Sequence, residues 1–421
     1  MENKTNTKRV GLSYLKLIWR KLSEDRLAKL CIRVLLVLIF FALFGGWIAN
    51  EKPFYCKIKG EAHYPLFDEL LVELGIKDQQ DIFFARDWYQ VDYDEGSVVR
   101  PLIPYAAFTI DRNNMSAVSP LASQDVSALK QRHWLGTDVL GRDVLAGLIA
   151  GTRIALSIGL LAIGIAAGLG IFFGLVSGYF GNDLLRLSLI QSISYTIGLI
   201  AAIYWAIYCR VHLFNSFYQV LISILLFAII LFAFIAIGKL MDTRLSGKRF
   251  AIPLDSIIMR IIEIVDAMPT LLIVLAALSL MSTKSIYNIM IIIGCIGWTL
   301  IARFTRAEAM RIRTMPYIKA TKSMGFSHLR IMLNHILPNA IAPVLIVLAF
   351  GVAGAIMIEA TLSFLGIGLG DKEVSWGYLL NLSKETSKAW WLAIFPGLAI
   401  FVTVSLFNLL GESLSDSMKR S

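Results

Sequence analysis

The sequence predicts an all-α polytopic membrane protein. The chain has 421 residues, of which 57% are hydrophobic and only 17% are charged, whereas soluble domains carry about 25% charged residues. Two uncharged runs, 187–209 and 211–238, are longer than the roughly 20 apolar residues that cross a bilayer. Runs of this length favour membrane spans over the core helices of a soluble domain.

Apolar runs between charged residues predict about eight spans. We expect them at 31–49, 153–180, 187–209, 216–238, 262–282, 286–302, 338–358 and 390–411. The first is expected to be an uncleaved anchor, because it is long and lacks a small-residue cleavage site. The segment 50–145 follows it and is too long for an ordinary connection. Its Tyr, Trp and Phe residues predict that it has structure of its own.

The distribution of Lys and Arg predicts the orientation of the spans. The N-terminal segment is strongly basic, and so are the loops 239–260 and 303–339. With eight spans, all three fall on one side, and basic loops mark the cytoplasmic side. Both termini are therefore expected in the cytoplasm and 50–145 outside it. The net charge of +10 needs no nucleic acid to explain it.

The loop 303–339 is the most basic of these segments. Its residues 317–339 read YIKATKSMGFSHLRIMLNHILPN, and Glu308 is the one acid of the whole loop. The bases are Arg303, Arg306, Arg311, Arg313, Lys319, Lys322 and Arg330. Placing seven such charges at the bilayer centre would cost on the order of 20 kcal/mol. The loop is therefore expected outside the membrane, in contact with either lipid headgroups or a protein partner.

Local signals predict two helices in this loop. Pro316 suits the first turn of a helix, and Gly325 suits the left-handed residue that ends one, so we expect a helix over 317–324. A second helix is expected from about Ser327, entering the next span near Leu337-Pro338.

The same stretch resembles the cytoplasmic loop of the permease subunits of binding-protein-dependent ABC importers. That loop has the pattern Glu-Ala-Ala, three residues, Gly, nine residues, an apolar position, one residue, Leu-Pro. Here Lys319-Ala320-Thr321 stands at the triplet, Gly325 at the glycine, His335 at the apolar position and Leu337-Pro338 at the end. Lys319 therefore replaces the usual Glu, and Thr321 replaces the second Ala.

Three further stretches resemble the oligopeptide and dipeptide C-type permeases. They are HWLGTDVLGRDVLAGLIAGTRIALSIGL from His133, DAMPTLLIVLAAL from Asp266, and IEATLSFLGIGLG from Ile358 followed by SWGYLL. Within that group, LFGGWIANEKPFY after the first span is similar to the Yej-type peptide permeases.

The resemblance implies a six-span permease core, to which this chain adds an inserted two-span hairpin and an extracytoplasmic insertion after the first span. The expected organisation is a basic cytoplasmic segment 1–30, the first span 31–49, an extracytoplasmic segment 50–145, a second span region 146–182, the inserted hairpin with its basic loop 183–250, the permease core 251–415 with its cytoplasmic loop 303–339, and a cytoplasmic tail 416–421.

The resemblance also implies an ATP-driven importer of short peptides or peptide-like compounds in the cell inner membrane. The residues expected to couple this chain to an ATPase are Tyr317, Lys319, Ala320, Thr321, Gly325, Phe326, Leu337 and Pro338. The implied partners are a second permease subunit, one or two ABC ATPase subunits, an extracytoplasmic substrate-binding protein and membrane lipid. ATP and Mg²⁺ belong in the ATPase, because this sequence lacks the G-x-x-x-x-G-K-[ST] phosphate loop.

Two other classes of function remain as alternatives. An ion-coupled secondary transporter needs polar or charged groups near the bilayer midplane, and the spans contain few ionisable residues. A membrane enzyme needs a catalytic constellation at one face, and the sequence has no HExxH or GxSxG motif. The four cysteines show no metal-ligand spacing, and no cofactor is expected in this chain.

We expect structural roles for several polar and aromatic residues outside the loop. His133, Asp138, Arg142 and Asp143 are expected in structural or docking roles rather than in catalysis or metal binding, because their context GTDVLGRDVL predicts an amphipathic helix outside the bilayer, capped by Thr137 or Asp138. Glu359 is expected at the outer end of a span, satisfied by solvent or by an arginine. The residues expected as interfacial anchors are Trp298, Trp376, Trp390 and Trp391.

Overall fold

The computed structural model describes residues 22–58, 60–73, 97–126, 128–206, 217–244, 249–279, 285–367, 373–386 and 388–419, and the single positions 76, 88, 91, 94, 209 and 281. Most of the expected N-terminal segment 1–30 and part of the basic loop after the inserted hairpin, 245–248, lie outside the described residues.

Helices dominate the described parts of the chain. They are α1 Arg26–Ile48, α2 Pro65–Glu73, α3 Val144–Phe180, α4 Leu189–Ala206, α5 Phe217–Arg244, α6 Leu254–Asp266, α7 Thr270–Ser279, α8 Ile286–Arg313, α9 Pro316–Ser323, α10 His328–Ile331, α11 Leu337–Phe364, α12 Trp376–Leu382 and α13 Trp390–Lys419. The strands form two short antiparallel pairs: β1 Cys56–Ile58 with β2 Glu61–His63, and β3 Arg186–Ser188 with β4 Arg249–Ala251.

The helix lengths agree with the expected span count. Among the described residues, seven helices are long and apolar enough to cross a membrane, and the bent pair α6–α7 would make eight. α3 is 37 residues long, or about 55 Å at 1.5 Å per residue. It therefore extends well beyond a hydrocarbon core of about 30 Å.

The span expected over 262–282 is formed by a bent pair of helices. α6 ends at Asp266 and α7 begins at Thr270, and the two helices meet at an angle of 81°. Pro269 lies in the break. Proline lacks the N–H needed to continue the helix, and its ring disfavours the helical conformation of Met268 before it.

The core of the bundle forms around α3, which packs most closely on α8. Gly170, Gly174 and Gly178 repeat every four residues along the contact. A Cβ at Gly174 would lie 2.6 Å from the carbonyl oxygen of Ala302, and one at Gly178 would lie 2.6 Å from that of Arg306. The three glycines therefore let the two backbones approach closely, as small residues do between membrane helices.

Each end of α3 has its own apolar cluster. At the C-terminal end, which we call the basic end, the buried residues are Leu175, Tyr179, Ala309, Ile312, Ile318, Ile331, Met332, Ile336 and Ala340. At the opposite end they are Val144, Val374, Leu379, Leu382, Ala389, Trp391 and Leu392. The loop segments at both ends of the bundle thus pack on the same long helix, α3.

The hairpin α4–α5 packs mainly on itself. Ser194 Oγ donates to the carbonyl of Phe234 at 2.8 Å, and Gln191 Nε2 donates to Asp242 Oδ2 at 2.9 Å. Only 17% and 6% of the most apolar windows of the two helices are buried, against 50% for α3. The pairing of β3 with β4 links the hairpin to the bundle at its base.

The tryptophans differ from their expected roles. Trp376 and Trp391 are only 2% and 3% exposed. Their indole nitrogens donate to the carbonyls of Leu148 at 2.9 Å and Thr137 at 3.0 Å. Trp298 is also buried, and Trp390 is the exposed member of the four. The anchor interpretation is therefore wrong for Trp298, Trp376 and Trp391, which pack inside the protein.

Candidate functional site

The segment between α8 and α11 presents the short helix α9. Pro316 stands at the first position of α9, where a missing N–H costs nothing. Ile318 is the buried residue of this helix, 3% exposed, and it packs into the cluster at the basic end of α3. One buried side chain thus fixes α9 to the ends of α3 and α8.

A glycine turn ends α9 as the sequence predicts. Gly325 has φ +81°, a conformation that costs glycine little and other residues more. The N–H of Gly325 donates to the carbonyl of Lys322 at 3.1 Å, and that of Phe326 to the carbonyl of Thr321 at 3.3 Å. These two bonds are those of a Schellman motif. They give the helix a defined end and a sharp change of direction.

The chain after the turn forms one continuous helical rod. Ser327 caps α10, and its Oγ accepts from the N–H of Arg330 at 3.4 Å. Met332–Ile336 is a π-helical turn that leads into α11. Pro338 follows at once and cannot donate to the carbonyl four residues earlier. A widened π turn accommodates that missing bond.

Polar contacts tie this segment to the end of α3. The hydroxyl of Tyr179 lies 2.7 Å from Nδ1 of His328, and Arg313 Nη1 donates to the carbonyl of Tyr179 at 3.0 Å. The guanidinium of Arg330 lies 4.7 Å from the centre of the Phe326 ring. A force applied to the segment would therefore reach α3 and α8 directly.

The outward surface of the segment combines apolar and basic groups. Met324 is 71% exposed and Leu329 65%. Lys319 and Lys322 are exposed, and neither forms an ion pair with any described residue. By contrast, the arginines at the end of α8, Arg303, Arg306 and Arg311, each pair with a carboxylate.

The predicted site residues occupy two different environments. Tyr317, Lys319, Ala320, Gly325 and Pro338 are exposed. The others, Thr321, Phe326 and Leu337, are half-buried and contribute to the turn or to the start of α11. Sequence reasoning missed Ile318, Tyr179 and His328. Ile318 could have been found as the isolated apolar residue between two polar positions, whereas the Tyr179–His328 contact joins residues 149 apart.

A second polar cluster lies at the opposite end of α3. His133 is fully buried, with Nδ1 2.7 Å from Asp143 Oδ2 and Nε2 3.1 Å from Asp111 Oδ2. The Tyr105 ring stacks on it at 4.2 Å. Asp143 Oδ1 also accepts from the N–H of Ala146 at 2.7 Å and so caps α3. Carboxylates only accept hydrogen bonds, so both bonds to His133 form only when the imidazole carries both protons.

The cluster shifts the pKa values of its members. Burial lowers the pKa of His133, but the hydrogen bonds and charges of Asp143 and Asp111 outweigh it, and the net pKa is raised. Burial raises the pKa of Asp111, but hydrogen bonds from Asn114 and His133 reverse this, and the net pKa is lowered. The histidine cation and its carboxylates therefore stabilise each other.

The expected amphipathic helix over these residues is wrong. Gly136 and Gly141 have φ +78° and +85°, which breaks the chain into tight turns, and Asp143 is the residue that caps α3. Asp138 Oδ2 accepts from Arg142 Nε at 2.6 Å instead. Nowhere in the described parts of the chain do three or more His, Cys, Asp or Glu side chains form a metal-binding group.

Glu359 is also placed differently from its expectation. It is 1% exposed rather than open to solvent. Ser363 Oγ donates to Glu359 Oε1 at 2.7 Å, and Ser375 also hydrogen-bonds to the carboxyl group. No arginine or lysine pairs with it within the described residues. The position connects α11 to the residue that caps α12.

These features define a polytopic membrane protein with a helical bundle and an exposed, well-anchored helical segment at one end. The profile of the binding-protein-dependent transport system inner membrane component matches residues 244–420. The profile of the N-terminal transmembrane domain of oligopeptide transport permease C matches residues 13–64. Over these residues the chain is similar to the multi-pass inner-membrane permease subunits of ABC importers.

Named relatives agree with this assignment. The chain is 26% identical over 403 residues to the inner membrane ABC transporter permease protein YejE of Escherichia coli, covering 95% of each chain. It is 28% identical over 288 residues to the dipeptide permease DppC of Bacillus subtilis, covering 68% of each. It is 27% identical to the glutathione permease GsiD of Pectobacterium atrosepticum, covering 68% of this chain and 72% of that one. All three are transport permeases rather than enzymes.

Proposed function

We propose that this chain forms part of the translocation path for short peptides or peptide-like compounds, and that the helix over 317–326 couples it to a separate ATPase. The observation that carries the proposal is the two-sided character of α9. One side is anchored in the bundle by Ile318, while the other presents unpaired lysines and exposed apolar groups. A surface built in this way is suited to receive force from a partner.

The coupling would act through a rigid connection. ATP closure of a partner ATPase would displace α9, and the contacts of Ile318, Tyr179 and Arg313 would carry that displacement to α3 and α8. The bundle would then alternate between states open to either side. Such coupling needs a two-state element that both sites bias.

The proposed assembly has several members. ATP and Mg²⁺ bind in one or two ABC ATPase subunits, and a second permease subunit completes the path. A substrate-binding protein docks outside, where the segment 50–145 would receive it. Membrane lipid surrounds the spans, and no nucleic acid takes part.

The proposed orientation places the basic end of α3 and both termini in the cytoplasm. The exposed lysines of α9, Lys319 and Lys322, then lie on the side that basic loops favour. The His133 cluster lies on the outer side.

Two substitutions test the coupling role. Gly325→Pro forces φ to about −65° where the chain has +81°, and Ala320→Asp adds an acid to the exposed face of α9. We expect membrane insertion to remain normal and co-purification with the ATPase to fall at least about tenfold. Gly60→Pro is the matched control, since Gly60 has φ +87° in the β1–β2 turn, far from α9.

Two results would contradict the proposal. The first is normal peptide uptake and substrate-stimulated ATP turnover in the reconstituted Gly325→Pro importer. The second is uptake by this chain alone, driven by an ion gradient without any ATPase, which would establish a secondary transporter instead.

A further inference from the structure

One face of α3 is not covered by the other helices that the structure describes. Arg153, Leu160, Gly164, Gly168 and Phe172 are exposed on α3. They follow one another at helical spacings of seven and four residues and so share one side of the helix. Arg153 lies nine residues after the first residue of α3, about 14 Å along its axis, toward the end that holds the His133 cluster.

This face differs from the lipid-facing surface of the hairpin α4–α5. Most exposed residues of the hairpin are large and apolar, for example Ile200, Phe232 and Leu240, although Lys239 near the end of α5 is also exposed. The α3 face instead begins with an arginine. An ionisable side chain in a membrane helix normally faces the bundle interior or a water-filled cavity, because exposure to hydrocarbon is costly. Because α3 is longer than the hydrocarbon core, Arg153 near its start lies where the membrane surface, an aqueous path or a partner can accommodate its charge.

A carboxylate is held against the same part of α3. Glu373 directly precedes Val374, whose side chain packs on Gly147 of α3. Trp376 packs on Gly151, two residues before Arg153, and donates to the carbonyl of Leu148. These contacts fix the chain around Glu373 beside the first turns of α3.

Glu373 and Arg153 interact without forming a bonded pair. Oε2 of Glu373 is buried and has no hydrogen-bond partner among the described residues. Burial raises the pKa of Glu373, and the positive charge of Arg153 partly opposes that rise. No salt bridge joins the two side chains or links either of them to another described residue. The packing of Val374 and Trp376 on α3 thus holds Glu373 beside the first turns of that helix, and the carboxylate oxygen stays without a partner among the described residues.

We propose that Arg153 and Glu373 form a subsite for the charged ends of a peptide-like substrate, Arg153 taking its carboxylate and Glu373 its ammonium group. This inference rests on the proposed transport function. A guanidinium binds a carboxylate through two parallel charge-assisted hydrogen bonds. A buried carboxylate oxygen without a donor is stabilised when a ligand ammonium supplies one.

The test uses the assembled importer, reconstituted in liposomes with its ATPase subunits and its binding protein. Three tripeptides are compared, each supplied already loaded on the binding protein: trialanine with free ends, its C-terminal amide and its N-acetyl form. Uptake is measured per ATP hydrolysed. Arg153→Gln should reduce uptake of free trialanine about tenfold and that of the amide less than twofold. Glu373→Gln should show the same pattern with the N-acetyl form.

Matched variants separate recognition from folding. Arg153→Lys keeps the positive charge and should retain a preference for the free carboxylate. Arg260→Gln removes an exposed arginine that pairs with Glu263 on α6 and should change none of the three rates. Assembly with the ATPase should be the same in every variant.

Each outcome decides a separate question. Equal losses for all three peptides in Arg153→Gln would overturn the subsite and assign Arg153 to lipid or to helix packing. Unchanged uptake of all three would also overturn it. If the wild-type importer shows no ATP-dependent uptake of any peptide, the proposed function itself fails, whatever the variants do.

Discussion

The charged residues at the two ends of α3 differ in burial and in pairing. At the opposite end, His133, Asp143 and Asp138 are buried, and each is paired within the chain. At the basic end, Lys319 and Lys322 are exposed and unpaired with any described residue. Buried charges must be satisfied internally because desolvation is expensive, whereas exposed charges remain available to a partner.

Whether charged groups are paired distinguishes a structural cluster from a possible binding surface more clearly than the number of charged groups does. The sequence around His133 is as rich in ionisable groups as the loop around Lys319. Only the first forms a closed network that caps a helix and holds a loop. The basic segment leaves Lys319 and Lys322 without an ion-pair partner among the described residues, while an apolar residue, Ile318, helps hold it in place. Because apolar contacts hold the segment, its lysines remain available to bind a partner.

The largest expected effect comes from breaking the close contact between α3 and α8, the helices on which the segments at both ends pack. In Gly174→Leu the new Cβ would lie 2.6 Å from the carbonyl oxygen of Ala302, so α3 and α8 must separate. We expect destabilisation of at least about 3 kcal/mol, seen as loss of the monodisperse peak in fluorescence-detected size exclusion after heating. Gly164→Leu is the control, because nothing lies within 4 Å of a Cβ there. Equal stability of the two variants would contradict this packing.

A pH series tests the buried cluster. The pKa of His133 is raised in the folded state, so its stabilisation is complete below the ordinary histidine pKa of about 6.5 and is lost as pH rises through the raised value. Deprotonation leaves one carboxylate without its donor, at a cost of roughly 1–3 kcal/mol. The melting temperature of the purified protein should therefore fall on the alkaline side.

Variants at the two ends sharpen the same comparison. His133→Asn should be less stable at pH 6 and should lose the alkaline decline. His328→Asn removes an exposed histidine at the basic end and should keep the decline. If both variants decline like the wild type, His133 is not the titrating group.

The smallest expected effect is at Lys319. Because its side chain is exposed, Lys319→Glu should change stability by no more than about 0.5 kcal/mol. It should weaken ATPase binding about fivefold, or roughly 1 kcal/mol, measured by titration of labelled ATPase on nanodiscs. Lys388→Glu, an exposed lysine beyond the other end of α3, should leave affinity unchanged. Tighter binding by Lys319→Glu would mean that the partner presents a base there.

Local signals predicted much of the basic segment and the spans. Apolar length alone located the span helices, since bilayer thickness sets it. The glycine turn was predictable because Gly325 follows a short helix that starts at proline, and the left-handed φ of +81° confirms it. The assignment of residues 317–326 to ATPase coupling stays a prediction.

Contacts between distant residues were not predictable in the same way. His133 meets Asp111 across 22 positions, and helical periodicity says nothing about residues that lie in turns. Trp376 and Trp391 were misplaced because tryptophan suits both an interface and a core wherever its N–H finds an acceptor. The bend at Pro269 was missed because apolar length does not report on the direction of a helix.

The strand pair at the base of the hairpin α4–α5 makes this region a self-contained module. Arg186 pairs directly with Ala251, so the points where the chain leaves and rejoins the bundle are about 5 Å apart. An even number of spans lies between them, and the hairpin packs mainly on itself. Two spans can therefore be gained or removed at this place without reversing any later helix, which makes the site a natural point of variation for the size of the bundle.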